Sequence, residues 1–306
     1  MDKKTLKVYG IALLFSALVG FSFVGVKTAI QSSTTLQLLT FRYNFAFLGT
    51  LAILALKWSE MNIRGKEKKN IFLTAGFYIG FMIFQTLGLL FVSTIESGII
   101  FAIVPILVKI IASFVLKEKS TALQNFFVCL CVGALILMIV MGAGEINANV
   151  VGIVLLLISS LSMAISNVYM RYVRSQYTPI EISLMITLGG CLVFNIATLV
   201  LGLRNGDLGN YFIPLANIHF IAATAYLGVA CTTVTALLMS YMLANMPAVK
   251  ATIFGNLSTA ISIVAGVMVL HESLKSYHVI CTILIVVGVI GVSMTGPKKE
   301  EEDDKV

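Results

Sequence analysis

The chain has 306 residues, 58% of them hydrophobic and 11% charged, with a formal net charge of +7. A soluble domain carries roughly a quarter of its residues as charges, so composition excludes a water-borne globular enzyme. A mean hydropathy of +0.99 indicates a polytopic membrane protein. The cations gather in short connections between apolar runs, where they read as a topology signal and not as a nucleic-acid surface.

The basic stretch Met1–Lys7 leads into an apolar run over 8–30. That run is long enough to cross a hydrocarbon layer of roughly 30 Å, and no small-residue cleavage site marks it as a signal peptide. Further apolar segments follow at 35–56, 71–92, 95–116, 123–142, 149–170, 181–203, 216–241, 247–270 and 277–296, so ten transmembrane helices are expected. Tight reversals are expected at Ser93–Ile95 and Leu243–Met246, because each flanking pair is too long for one crossing. With the N-terminus in the cytoplasm, fifteen cations fall inside, including Lys57, Arg64, Lys66, Lys68, Lys69, Arg171 and Arg174, against Arg204 and Lys275 outside. This distribution follows the positive-inside rule and places both termini in the cytoplasm. The acidic run Glu300–Asp304 reads as a solvated tail over 297–306.

Cys129, Cys131, Cys191, Cys231 and Cys281 all fall in expected spans without a CxxC pair and read as packing residues. No P-loop, HExxH or spaced Ser/His/Asp set occurs in the sequence. No enzyme activity, cofactor or metal is therefore expected.

The two halves, 1–142 and 143–296, echo one another. GFSFVGVK (20–27) parallels AISNVYMR (164–171), which sets Lys27 opposite Arg171. PILVKIIASFVLKE (105–118) parallels TAISIVAGVMVLHE (259–272), which sets Glu118 opposite Glu272 and Glu96 opposite Lys250. Five spans per half is an odd number, so equivalent helices point in opposite directions. That is an inverted-topology repeat, an architecture associated with alternating access.

Ionisable groups inside spans are costly and mark functional sites by default. Lys27 is a gate- or substrate-facing candidate that competes with snorkelling to the headgroups. Arg42 offers a rigid fork to an anion, with Glu96 the expected ion-pair partner. Lys109 stands roughly 20 Å along a helix from Glu96 and suits a polar cavity, while Lys250 is a candidate that competes with snorkelling towards the cytoplasm. Tyr78, Gln85, Asn167, Tyr169, Tyr226, Tyr241 and Asn256 are uncharged candidates, although helix-to-helix hydrogen bonding explains such residues as well. Pro105 is a candidate hinge. Gly20, Gly25, Gly80, Gly88, Gly255 and Gly266 would allow close helix approach. His271 and Glu272 read as a surface cap.

These residues resemble the EamA-type transporters of the drug/metabolite transporter superfamily over essentially residues 10–295. The markers are GFSFVGVK ending at Lys27, the arginine of TFRYNF at Arg42, the stretch from Pro105 to Glu118, and NLSTAISIVAGVMVLHE (256–272). Val19 and Met163 stand where the family often has Trp, Thr259 where Pro is common, and His271 where Gly is common. The resemblance implies an all-α protein of ten helices in two inverted five-helix repeats around a central cavity. It also implies export of small metabolites such as amino acids or amphiphilic compounds, often with proton or other ion coupling. Uptake of small organic anions or nucleotide-like solutes is the alternative direction, and a lipid scramblase or channel the alternative class. Expected partners are a small-molecule substrate and membrane lipids, with no nucleic acid and with monomer or homodimer left open.

Overall fold

The computed structural model describes residues 3–56, 65–115, 121–143, 150–246 and 248–294; within its helices a few side chains, Lys250 and Asn256 among them, fall outside the description. The acidic tail, Glu118 and Pro247 lie outside the described residues. Among the described residues the structure is helical throughout. The helices are α1 (Lys3–Ile30), α2 (Thr35–Leu56), α3 (Lys68–Gly88), α4 (Thr94–Phe101), α5 (Val104–Val115) and α6 (Ala122–Ala143). They continue with α7 (Val150–Val173), α8 (Pro179–Asn205), α9 (Ile218–Ala225), α10 (Thr235–Asn245), α11 (Ala248–Leu270) and α12 (Ser276–Met294). In hydrocarbon a helix satisfies its own backbone polar groups, which is why so apolar a chain adopts it.

Among the described residues, seven stretches are long and apolar enough to cross a membrane: Leu6–Ile30, Thr35–Leu56, Lys68–Gly88, Thr94–Ala112, Val150–Val173, Pro179–Asn205 and Ile218–Asn245. Shorter apolar helices run over Leu257–Leu270 and Ser276–Gly288. Large apolar side chains such as Leu48, Phe72, Ile196, Met268 and Ile283 are exposed on the flanks. A soluble monomer rarely exposes so much contiguous apolar surface. This is an integral membrane protein.

Two expected spans are not simple helices. The segment over 95–116 breaks at Ala102–Ile103 into α4 and α5. Proline lacks an N–H and clashes with a preceding helical turn, but it is tolerated in the first turn of a new helix. Pro105 takes that place in α5, and the junction tightens into short-range bonds, with the Ile103 N–H donating to Ile100 (3.3 Å) and that of Ile106 to Ile103 (2.9 Å). The segment over 216–241 becomes α9, a π-helical stretch over Tyr226–Val234, and α10. In that stretch the Thr232 hydroxyl donates to the Leu227 carbonyl five residues back (2.8 Å).

The helices pair across the two halves. α1 lies along α11, α3 along α7, α2 along α8 and α6 along α12, with α4 and α5 between α7 and α11. Of the glycines expected at close contacts, Gly20, Gly25, Gly88 and Gly266 abut other elements, while a side chain at Gly255 would meet open space. Hydroxyls stitch the pairs together: Ser159 donates to Phe81 O (2.7 Å), Ser166 to Thr74 O (2.9 Å) and Ser16 to Phe254 O (2.5 Å). One end of the bundle carries Lys66, Arg171 and Arg174 and is called the Lys66 end. The other carries the 89–93 and 271–275 connections and is called the Glu272 end.

Candidate functional site

A cavity of about 40 Å³ lies at the centre of the bundle. It is lined by Phe15, Val19 and Phe23 of α1, Phe81 and Gln85 of α3, Phe101 of α4, Val104 of α5, Met163 of α7, Met239 of α10, and Gly255 and Ser258 of α11. Helical spacing explains the set: Phe15, Val19 and Phe23 recur every four residues, as do Phe81 and Gln85, so each group shares one face. Phe101 packs against Phe23 (5.7 Å between ring centroids) and Phe81 (5.8 Å). A volume of this size holds about one water and is too small for a solute in this conformation. The lining is aromatic and aliphatic, with Gln85 and Ser258 as its polar members.

When the halves are aligned as in the sequence, several lining residues face their own counterparts. Val19 stands opposite Met163, Phe101 opposite Gly255 and Val104 opposite Ser258, and all six line the cavity.

Arg42 lies beside this cavity and not on its wall. It is buried in α2 against the π-helical stretch, its Nε donating to Thr232 Oγ1 (2.9 Å) while Nη1 has no hydrogen-bond partner among the described residues. The guanidinium acts electrostatically on Tyr43, Tyr78, Tyr226 and Cys231. Tyr78 stacks edge-on to the cavity residue Phe81 (5.5 Å), and the Tyr226 hydroxyl donates to the Leu18 carbonyl next to Val19 (3.0 Å). Gly228 lets α2 come this close, since a Cβ there would stand 2.4 Å from the Arg42 carbonyl oxygen.

The expected Arg42–Glu96 pair does not form. Glu96 is the third residue of α4 and is used in a capping box: its carboxylate accepts from the Ser93 N–H and hydroxyl (both 2.9 Å), and Ser93 Oγ accepts from the Glu96 N–H (3.1 Å). That local bonding occupies the carboxylate at the helix N-terminus, where a negative charge is favoured.

Lys109 is also away from the cavity, its Nζ near Asn125 Oδ1 (3.4 Å). Asn167 is buried in α7 with Nδ2 unpartnered. Among the described residues the cavity wall is apolar and aromatic apart from Gln85 and Ser258, with Arg42 buried beside it. Long cationic stems reached polar atoms on neighbouring helices, while aromatic faces closed around the centre. The side chains of Lys250 and Asn256 lie outside the described residues.

Lys27 and Arg171 make matching contacts at opposite ends. Lys27 Nζ donates to the Val92 carbonyl (2.8 Å), two residues before α4. Arg171 Nη1 donates to the Met246 carbonyl (2.6 Å), two residues before α11. Val92 and Met246 are counterparts in the register that pairs Glu96 with Lys250, as Lys27 and Arg171 are in that of the first spans.

Glu272, read from sequence as part of a surface cap, instead reaches across to α4. Its Oε1 accepts from the Thr94 N–H (2.9 Å) and its Oε2 from the Ile95 N–H (3.1 Å). Neither this contact nor the Phe and Met lining had a distinctive local signal, since lipid-facing aromatics look the same in sequence.

The family model of the EamA-like transporter family matches twice, over 6–140 and 150–294. The chain belongs to the EamA-like transporter family. It is 34% identical over 293 residues to an uncharacterized transporter, YcxC, of Bacillus subtilis (strain 168), covering 95% of this chain and 94% of the relative. An uncharacterized transporter of Archaeoglobus fulgidus is 24% identical over 264 residues, covering 81% of this chain and 90% of that one. A solved crystal structure superposes with a TM-score of 0.62 over 95% of this chain and 98% of its own, at 14% identity, which speaks to the fold alone. As a member of this family the protein is a membrane transporter of small solutes.

Proposed function

We propose that the protein is a secondary active transporter that exports small amino-acid-like or amphiphilic metabolites by alternating access, with ten crossings arranged as two inverted five-helix repeats. The observation that carries this reading is the repeated contact of Lys27 with Val92 and Arg171 with Met246. The same hydrogen bond, with the halves exchanged, closes both ends of one chamber. Inverted repeats rocking about a central site produce such equivalent gates. The charge distribution supports placing the Lys66 end in the cytoplasm of a bacterial plasma membrane.

The chamber suits a cargo with an apolar or aromatic group, held by the Phe and Met side chains and oriented by Gln85 and Ser258. Arg42, with one nitrogen unpartnered, receives the cargo's carboxylate once the chamber widens past Tyr78 and Tyr226. Lys27 and Glu96 belong to the gate at the Glu272 end, and Asn167 offers a further polar contact. A nucleotide-like cargo is less well served, since among the described residues no cation stands on the wall to meet its phosphates.

The test is a competition screen of amino acids, organic anions and nucleosides in proteoliposomes, with and without a pH gradient. Saturable counterflow of an amphiphilic carboxylate supports the reading. Non-saturable conductance or lipid flip-flop without solute exchange would replace it with a channel or scramblase.

A further inference from the structure

We infer that Glu272 is a gating residue, whose carboxylate latches the second half of the chain onto the N-terminus of α4 and releases it each time the chamber opens at that end. This rests on the alternating-access reading. The first N–H groups of a helix have no partner within it, and the helix dipole makes that end positive. Glu272 Oε1 and Oε2 take the N–H groups of Thr94 and Ile95, so one carboxylate from the far half satisfies two of them.

The surroundings fit a seam built to close tightly and part. A Cβ on Gly266 would stand 2.9 Å from Glu272 Oε2, so a larger residue there would press on the carboxylate where it lies back over α11. One turn into α4, a Cβ on Gly98 would meet Ser262 Oγ at 2.3 Å, and the Gly98 carbonyl accepts from Thr259 Oγ1 (2.9 Å). α4 and α11 therefore touch along small residues from Glu272 down to Phe101 and Ser258, which line the chamber. This seam is the chamber's cover at the Glu272 end. Lys27 holds the Val92 carbonyl at the same turn and lies in the field of both Glu272 and Glu96. Water can replace every partner that the carboxylate and the two N–H groups lose on opening, so the latch is a modest bias between two states.

The experiment uses the full-length chain with its native cysteines replaced and Ser258→Cys as the reporter, in oriented membrane vesicles. A membrane-impermeant maleimide is applied from each face to the parent and to E272Q and E272A. Removing a charge-assisted bidentate contact is expected to speed labelling from the Glu272 face roughly tenfold and to slow it from the Lys66 face. A residue that merely stabilises the fold moves both rates the same way when lost. E272Q preserves size and shape, and its melting transition in detergent checks folding if E272A does not accumulate. Unchanged rates, or faster labelling from both faces, would overturn the inference. Opposed changes, where the parent with native Ser258 exchanges no tested solute, would keep the latch and remove the cargo reading. Exchange with unaltered labelling would do the reverse.

Discussion

Among the described residues, Arg42 Nη1 is buried without a hydrogen-bond partner and no carboxylate is paired with the guanidinium. A buried cation in that position is costly, and under the proposed function an anionic cargo offsets that cost. Arg42→Ala is expected to raise the half-saturation concentration of a carboxylate cargo roughly 10- to 100-fold, the worth of a charged hydrogen bond. Arg42→Lys keeps the charge but not the planar fork and should restore only part of the affinity. Initial-rate kinetics in proteoliposomes check this, and an unaltered half-saturation point would remove Arg42 from the cargo's path. At the same scale, Glu96 shows how a residue's own neighbourhood claims it first. Ser93 stands three residues before it, which is the spacing of a capping box.

Two elements depart from a simple apolar rod, and each departure has a residue behind it. The π-helical stretch brings Gly228 onto the backbone of α2 at Arg42 and Ala46. Gly228→Val would force these elements apart and is expected to destabilise the protein by about 1–3 kcal/mol, with binding lost beyond that through displacement of Arg42. Thermal melting in detergent, with and without cargo, separates the two effects. The end of α11 is the second case. His271 takes a positive φ of 53°, a left-handed conformation, and the Glu272 N–H then donates to Gly266 O (3.1 Å). That conformation costs an L residue about 1–2 kcal/mol relative to what glycine tolerates. His271→Gly is therefore expected to raise stability by about 1 kcal/mol, and a lower melting temperature would show that the imidazole makes a compensating contact.

At the scale of the whole molecule, the Lys66 end carries a cross-bundle tie. Lys66 Nζ donates to both Glu181 oxygens (2.8 and 3.0 Å), and the Glu181 carboxylate is fully buried while also accepting from the Thr178 N–H. Lys66 also lies over the Tyr177 ring (4.9 Å). Glu181→Gln leaves the lysine without its counter-charge and is expected to cost about 3–5 kcal/mol. Pairing it with Lys66→Met should recover much of that loss, because the desolvation cost of the cation goes with it. An unfolding titration of the two single variants and the double variant measures the coupling directly.

The membrane-borne, all-helical character was legible in the sequence because hydrocarbon accepts little else from runs of this length. The repeat was legible too, as short echoes between the halves, that of Lys27 with Arg171 among them. What those residues grip was not. The Val92 and Met246 carbonyls are backbone atoms that every residue possesses, so no residue type announces them. The composition of the chamber was equally hidden, since a phenylalanine facing lipid and one facing a cavity obey the same transfer energetics. Only the packing of α1, α3, α4 and α5 against α7, α10 and α11 decides which aromatic faces look inward. Packing likewise turns Glu272 from a loop-end acid into a bond between the halves.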